Sequence, residues 1–153
     1  MSIQIIKKNH FGVYAIILKE DHILLIKKSR GPYKGKLDLP GGKPEHGETI
    51  YQTLVREVME ETGIIVHKTQ FFNNYTTVAL ETIQPNVQEC THHIGAVYLV
   101  QMFDDSALIK DMNAEDSLGA LWVSMASLTE DLVSPFVYQA VVDLENILLD
   151  KKI

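Results

Sequence analysis

Residues 42–64 read GKPEHGETIYQTLVREVMEETGI, and their spacing decides the fold around them. Ile50, Leu54 and Val58 recur at i, i+4 and i+8, which predicts a helix over 49–62 with Gly63 as its terminator. With Ile50 at zero and about 100° per residue, Ile50, Leu54, Val58, Tyr51, Val55 and Met59 fill one half of that helix. Glu60 falls outside the arc at about 280°, Glu57 at about 340° and Glu61 at about 20°. Glu61 therefore intrudes on the apolar side, where a bare carboxylate is costly. Like charges at i, i+4 also weaken a helix, so the acidic trio needs either solvent or a cation. A solvated face is the ordinary reading of such a cluster. The intrusion of Glu61 favours a hard divalent ion such as Mg²⁺, which takes one or two protein carboxylates and fills its shell with water and phosphate oxygens. Arg56 can ion-pair with Glu60 at i+4, or its planar fork can hold one glutamate in place for a metal.

Working outward, residues 11–19 (FGVYAIILK) and 22–28 (HILLIKK) read as strands joined by a polar turn at Glu20-Asp21. A basic loop follows from Lys27 to Lys36, then a short LDLP strand and the flexible Gly41-Gly42 pair. Beyond the helix, strands are expected around 65–82, 92–103 and 119–124, the second almost wholly apolar and central. Ser127-Leu-Thr-Glu130 resembles a capping box. Ser134-Pro135 opens a last helix with the stripe Phe136, Ala140, Leu144 and Leu148. Strands interleaved with two main helices give an α/β or α+β class with a mixed sheet between helices. Arg30, Lys34 and Lys36 on the basic loop can meet substrate phosphates.

The 42–64 stretch resembles the Nudix hydrolase signature GX5EX7REUXEEXGU, through Gly42, Glu48, Arg56, Glu57, Val58, Glu60, Glu61, Gly63 and Ile64. The preceding LPGG and the flanking elements look like the same family, so the resemblance covers the whole domain, residues 1–153. It implies the Nudix α/β/α sandwich with a mixed β-sheet between helices. It also implies Mg²⁺-dependent hydrolysis, with Mn²⁺ as a substitute, of the pyrophosphate in a nucleoside diphosphate linked to a group X, such as a (d)NTP or nucleotide sugar. Carried over by position, Glu57, Glu60 and Glu61 are the metal ligands with the Gly42 carbonyl, and Arg56 and Glu48 brace the helix. A further acid is expected in the loop AEDSLGALW, Asp116 first and Glu115 second. Val78-Ala79-Leu80 matches neither the ADP-ribose nor the dinucleoside polyphosphate marker of some subgroups. A non-catalytic nucleotide sensor and an RNA 5′-end pyrophosphohydrolase are the alternatives.

Composition bounds these readings. The chain has 153 residues, 46% apolar and 22% charged, which excludes disordered, collagenous and coiled-coil classes. Its net charge is −6, distributed unevenly: residues 1–43 carry nine Lys/Arg against three acids, residues 44–153 five against seventeen. Bulk nucleic acid is a poor partner for such a chain, whereas a small nucleotide is compatible once a metal neutralises the glutamates. A lone Cys90 and the lack of a signal-like or membrane-length apolar run set a cytoplasmic expectation, with no membrane partner and a homodimer left open. Tyr14, Tyr33, Phe71, Phe72, Tyr75 and Trp122 are read first as core and second as base-stacking rings. His92 and His93 are read as polar residues at a strand end.

Overall fold

Strands whose side chains are buried on both faces read as unbroken apolar runs, and two such runs organise this fold. The computed structural model describes residues 2–108 and 117–151. Along β1 (Gln4–Ile16) and β3 (His22–Lys28), alternate residues enter opposite cores. Tyr14, Ile16, Ile23 and Leu25 pack with Phe136, Val137, Ala140 and Leu144 of the C-terminal helix α2 (Pro135–Asp150). Val13, Ala15, Leu24 and Ile26 pack with Leu54 and Val58 of α1 (Ile50–Thr62). The result is an α/β/α sandwich.

The remaining strands are β2 (Leu18–Lys19), β4 (Leu37–Asp38), β5 (Gly41–Gly42), β6 (Ile65–Gln84), β7 (Val87–Asp104) and β8 (Ser117–Ser124). They form two four-stranded sheets rather than one. The first has the order β5-β1-β7-β6, with β1 and β7 parallel and the other pairs antiparallel. In the second, β3 pairs with β2, β4 and β8. β7 lies inside its sheet, as its apolar sequence predicts, but it starts at Val87 rather than 92 and so carries His93 mid-strand. β1 likewise reaches back to Gln4, through a polar segment that pairs with β7. No described helix is long and apolar enough to cross a membrane.

Several side chains depart from the sequence expectation. Ile50, Tyr51 and Met59 are exposed, because α1 meets the sheets through a stripe of Thr53, Leu54, Val58, Glu61 and Thr62 that is narrower than a half-cylinder. Leu148 is exposed on the last turns of α2. Ser127-Leu-Thr-Glu130 opens no helix; Ser127 ends a 3₁₀ turn and donates its hydroxyl to the Ser124 carbonyl.

Gly95 of β7 is where the sheet meets α2 most closely: a Cβ built there would lie 2.5 Å from the Phe136 ring. Gly95→Ala is expected to destabilise the fold by about 1–3 kcal/mol, measured by urea unfolding, because the ring must leave its packed position.

Candidate active site

The start of α1 is fixed before its acids are placed. Thr49 accepts a hydrogen bond from Gln52 N–H while the Gln52 side chain accepts from Thr49 N–H, a reciprocal capping box. Gly63 closes the helix in the left-handed conformation, φ 77°, donating to the Met59 carbonyl. Between these ends, Arg56, Glu57, Glu60 and Glu61 project toward the loop that carries Gly41, Gly42 and Glu48.

Arg56 organises this end. Its Nε and Nη2 donate to the two oxygens of Glu48, both at 2.8 Å, and its Nη1 donates to Glu57 at 2.8 Å and to Glu60 at 3.3 Å. Nη2 also donates to the Lys43 carbonyl at 3.2 Å. Glu48 accepts in addition from Glu45 N–H and the Thr53 hydroxyl. The Arg56 guanidinium, with those donors, holds the Glu48 carboxyl down at about 2. Bidentate pairing of this kind fixes direction as well as charge.

Glu57 and Glu61 occupy the inner side. The Glu57 carboxylate rests against Gly42 so closely that a Cβ at position 42 would lie 2.6 Å from its Cδ, so only glycine admits it there. Glu61 is 7% exposed and accepts from Gly41 N–H at 2.8 Å. Burial drives its pKa up to about 8, and the nearby charges of Glu57 and Asp38 add to the rise. Glu60 is exposed and tied to Arg56.

Oxygen donors alone face the inner side, and one of them is a buried carboxylate without an ion-pair partner among the described residues. That donor set suits a hard divalent cation. No group of three or more His, Cys, Asp or Glu side chains among the described residues is placed to hold a metal ion, but Mg²⁺ needs only one or two protein carboxylates. The two residues here that could hold such an ion are Glu57 and Glu61, beside Gly42 and Gly41.

Next to these acids lies a cavity of about 490 Å³ whose walls include Tyr14, Lys28, Arg30, Tyr33, Asp38 and His93. Of the loop cations proposed for phosphate, Arg30 reaches this wall and Lys34 and Lys36 do not, while Lys8 and Lys28 line it in addition. Asp116 and Glu115 lie outside the described residues. His93 is no strand-end polar residue: it is buried at 8% exposure, with Tyr14 Oη 2.6 Å from its Nε2 and its ring centroid 4.5 Å from that of Phe136. Burial lowers its pKa to about 4, so it is neutral at pH 7. Only a strand boundary placed earlier than 92 would have revealed it from sequence. Tyr14 and Tyr75 belong to the core on the α2 side, whereas Tyr33 stacks on His93 at the cavity wall.

The NUDIX domain family model matches residues 8–143. The chain belongs to the Nudix family. It is 53% identical over 54 residues to the ADP-ribose pyrophosphatase of Methanocaldococcus jannaschii, a match covering 35% of this chain and 32% of that protein. It is 31% identical over 123 residues to putative nudix hydrolase 1 of Caenorhabditis elegans, covering 78% of this chain and 30% of that protein. The match thus spans about a third of these curated relatives' length. Among solved structures, the MutT NUDIX hydrolase of Burkholderia pseudomallei superposes with a TM-score of 0.70 at 23% identity, covering 89% of this chain and 98% of that one. That likeness establishes the Nudix fold.

The buried acid has a stability consequence. Glu61 holds its proton more tightly folded, at about 8, than an ordinary glutamate at 4.5. The metal-free Nudix fold therefore loses stability as pH rises from 4.5 through about 8. Glu61→Gln, which keeps an acceptor for Gly41 N–H, is expected to remove that decline. Thermal melting in EDTA should show the variant melting above the parent at about pH 9, by roughly 2–4 °C for each kcal/mol relieved.

Proposed function

We propose that the protein is a pyrophosphohydrolase that cleaves the phosphoric anhydride of a nucleoside diphosphate-X compound, such as a (d)NTP or nucleotide sugar, with Mg²⁺ or Mn²⁺. The observation that carries this reading is Glu61, a buried carboxylate beside Glu57 and Gly42 while Arg56 is engaged with Glu48, Glu57 and Glu60. A divalent ion bound there would neutralise pyrophosphate oxygens and lower the pKa of a water for attack at phosphorus.

The chain's own residues supply the rest. Glu57 lies against Gly42 and Glu61 accepts from Gly41 N–H, so the two-glycine strand limits where each carboxylate can lie. Glu48 and Arg56 hold that end of α1 against its own like-charge repulsion. Lys28 and Arg30, on the wall of the adjoining cavity, offset the charge of a bound phosphate. Water adds to one phosphorus, the bridging P–O bond breaks, and the products are a nucleoside monophosphate and phosphorylated X, or pyrophosphate where X continues the phosphate chain. The single Cys90 accords with a cytoplasmic setting for this activity.

A nucleotide panel assayed with Mg²⁺ and with Mn²⁺, with both products identified, tests the reading. Turnover of at least one member is expected, and loss of a metal-held charge by Glu57→Gln or Glu61→Gln should lower kcat by about 10²–10³. Glu48→Gln, which acts through Arg56, should cost about 10–100-fold. Absence of turnover across the panel, or full activity in Glu61→Gln, would falsify it.

A further inference from the structure

β6 is the edge strand of the first sheet, and no described strand pairs with its outer side. An unpaired edge offers a row of N–H and C=O groups to another chain, and proteins ordinarily blunt it with lysine, proline, bulges or a short strand. β6 is 20 residues long. Its register against β7 shifts between Phe71 and Asn73 and again between Thr82 and Gln84, and is regular between them. That regular stretch reads NNYTTVALET, with Glu81 as its only charge and neither proline nor glycine. Exposure alternates along it. Val78 and Leu80 are each 61% exposed on one face, while Thr77, Ala79 and Glu81 are half-buried on the face shared with Thr91 and His93. An exposed apolar pair on an unprotected edge marks a contact surface.

This edge is complementary to itself. Residues directly opposite in an antiparallel pair share a face, so a two-fold axis perpendicular to a sheet that joins two copies of β6 passes through a residue. An axis through Ala79 sets Val78 against Leu80 of the second copy, and Thr77 against Glu81 of the second copy, each twice. It also keeps the two Glu81 carboxylates apart, whereas an axis through Glu81 opposes them directly. The same register brings the end of the hairpin, where Ile83 is 43% exposed, opposite Tyr75 of the second copy. Tyr75 lines a second cavity of about 320 Å³ between β6 and α2, with Tyr138 and Val142 on its wall. An exposed isoleucine thus meets a recess that can seat it at both ends of the seam.

We propose that this edge is a self-association surface whose partner is a second copy of the chain, joined by antiparallel pairing of residues 74–84 about Ala79. The product is closed and two-fold, one sheet with four strands from each copy. Eleven residues at about 3.4 Å each, in a sheet about 10 Å thick, make a seam of about 370 Å² on each copy. That is smaller than a standard interface, so the dimer is weak and depends on concentration. Glu81 also lines the large cavity, so Thr77 of the second copy joins the rim of that cavity. The association is independent of the hydrolytic reading.

Sedimentation velocity of the parent protein from about 1 to about 300 µM, the range of a weak interface, tests this. The parent should pass from monomer to dimer and go no further. Leu80→Lys, which places a charge on the exposed edge, should need roughly tenfold higher concentration or more to dimerise, with circular dichroism reporting its fold. Ile83→Ser should weaken the dimer as well. Oxidation in a Cys90→Ser background reads the register. Ala79→Cys should cross-link to its own counterpart, since opposed Cα atoms lie about 4.5–5.5 Å apart, within disulfide reach. Thr76→Cys should not, since its counterpart lies about 20 Å along the seam. A parent that stays monomeric, that grows beyond a dimer, or whose dimer is unchanged in a folded Leu80→Lys overturns the inference, as does cross-linking at position 76 in preference to 79.

Discussion

One guanidinium donates hydrogen bonds to three glutamates. Arg56 grips Glu48 with two parallel hydrogen bonds and uses its remaining nitrogen on Glu57 and Glu60. Glu48 before α1 and Glu57 and Glu60 along it all face the Arg56 guanidinium, and without a fixed cation their repulsion would splay the loop from the helix. The position of Arg56 matters as much as its charge: a fork fixed on Glu48 ties residues on either side of the helix start to one geometry. The capping box at Thr49 and the tight approach of Glu57 to Gly42 are consistent with that geometry.

Arg56 does not extend to Glu61. That carboxylate is buried by its place on the inner stripe of α1, and its one hydrogen bond among the described residues comes from a backbone amide. The site is therefore electrostatically incomplete in a specific direction: it lacks positive charge on the inner side, next to a cavity that carries Lys28 and Arg30 further along its wall. On the function proposed above, a phosphate-bearing ligand and a divalent ion would complete it together. The uneven charge of the chain, basic before residue 43 and acidic after, has the same meaning, because β3 and its loop bring the basic part to the wall of a cavity beside the acidic helix.

Much of this was legible in the sequence, for physical reasons. Helical spacing set α1 and the inward angle of Glu61, and continuous apolar runs in β1 and β3 marked strands covered on both faces. What remained hidden depended on partners far apart in the chain. Ser134 reads as a helix cap, yet its hydroxyl bonds Asp38, 96 residues away. His93 reads as a strand end, since nothing in the polar stretch before it shows that residues 87–92 pair with the start of β1. Ile50, Tyr51 and Met59 lie within the apolar arc but beyond the width of the contact with the sheet. Local pattern establishes which face turns inward; the width of the contact, and which polar group claims a hydroxyl, are tertiary facts.

On the function proposed above, the fork geometry of Arg56 shapes a divalent-cation site from Glu57 and Glu61. Calorimetric titration of Mg²⁺ into the parent protein and into Arg56→Lys tests it most directly, because lysine keeps the charge and removes the fork. Affinity weaker by roughly 10–100-fold in the variant is the predicted result. Equal affinity in the two proteins would contradict the account.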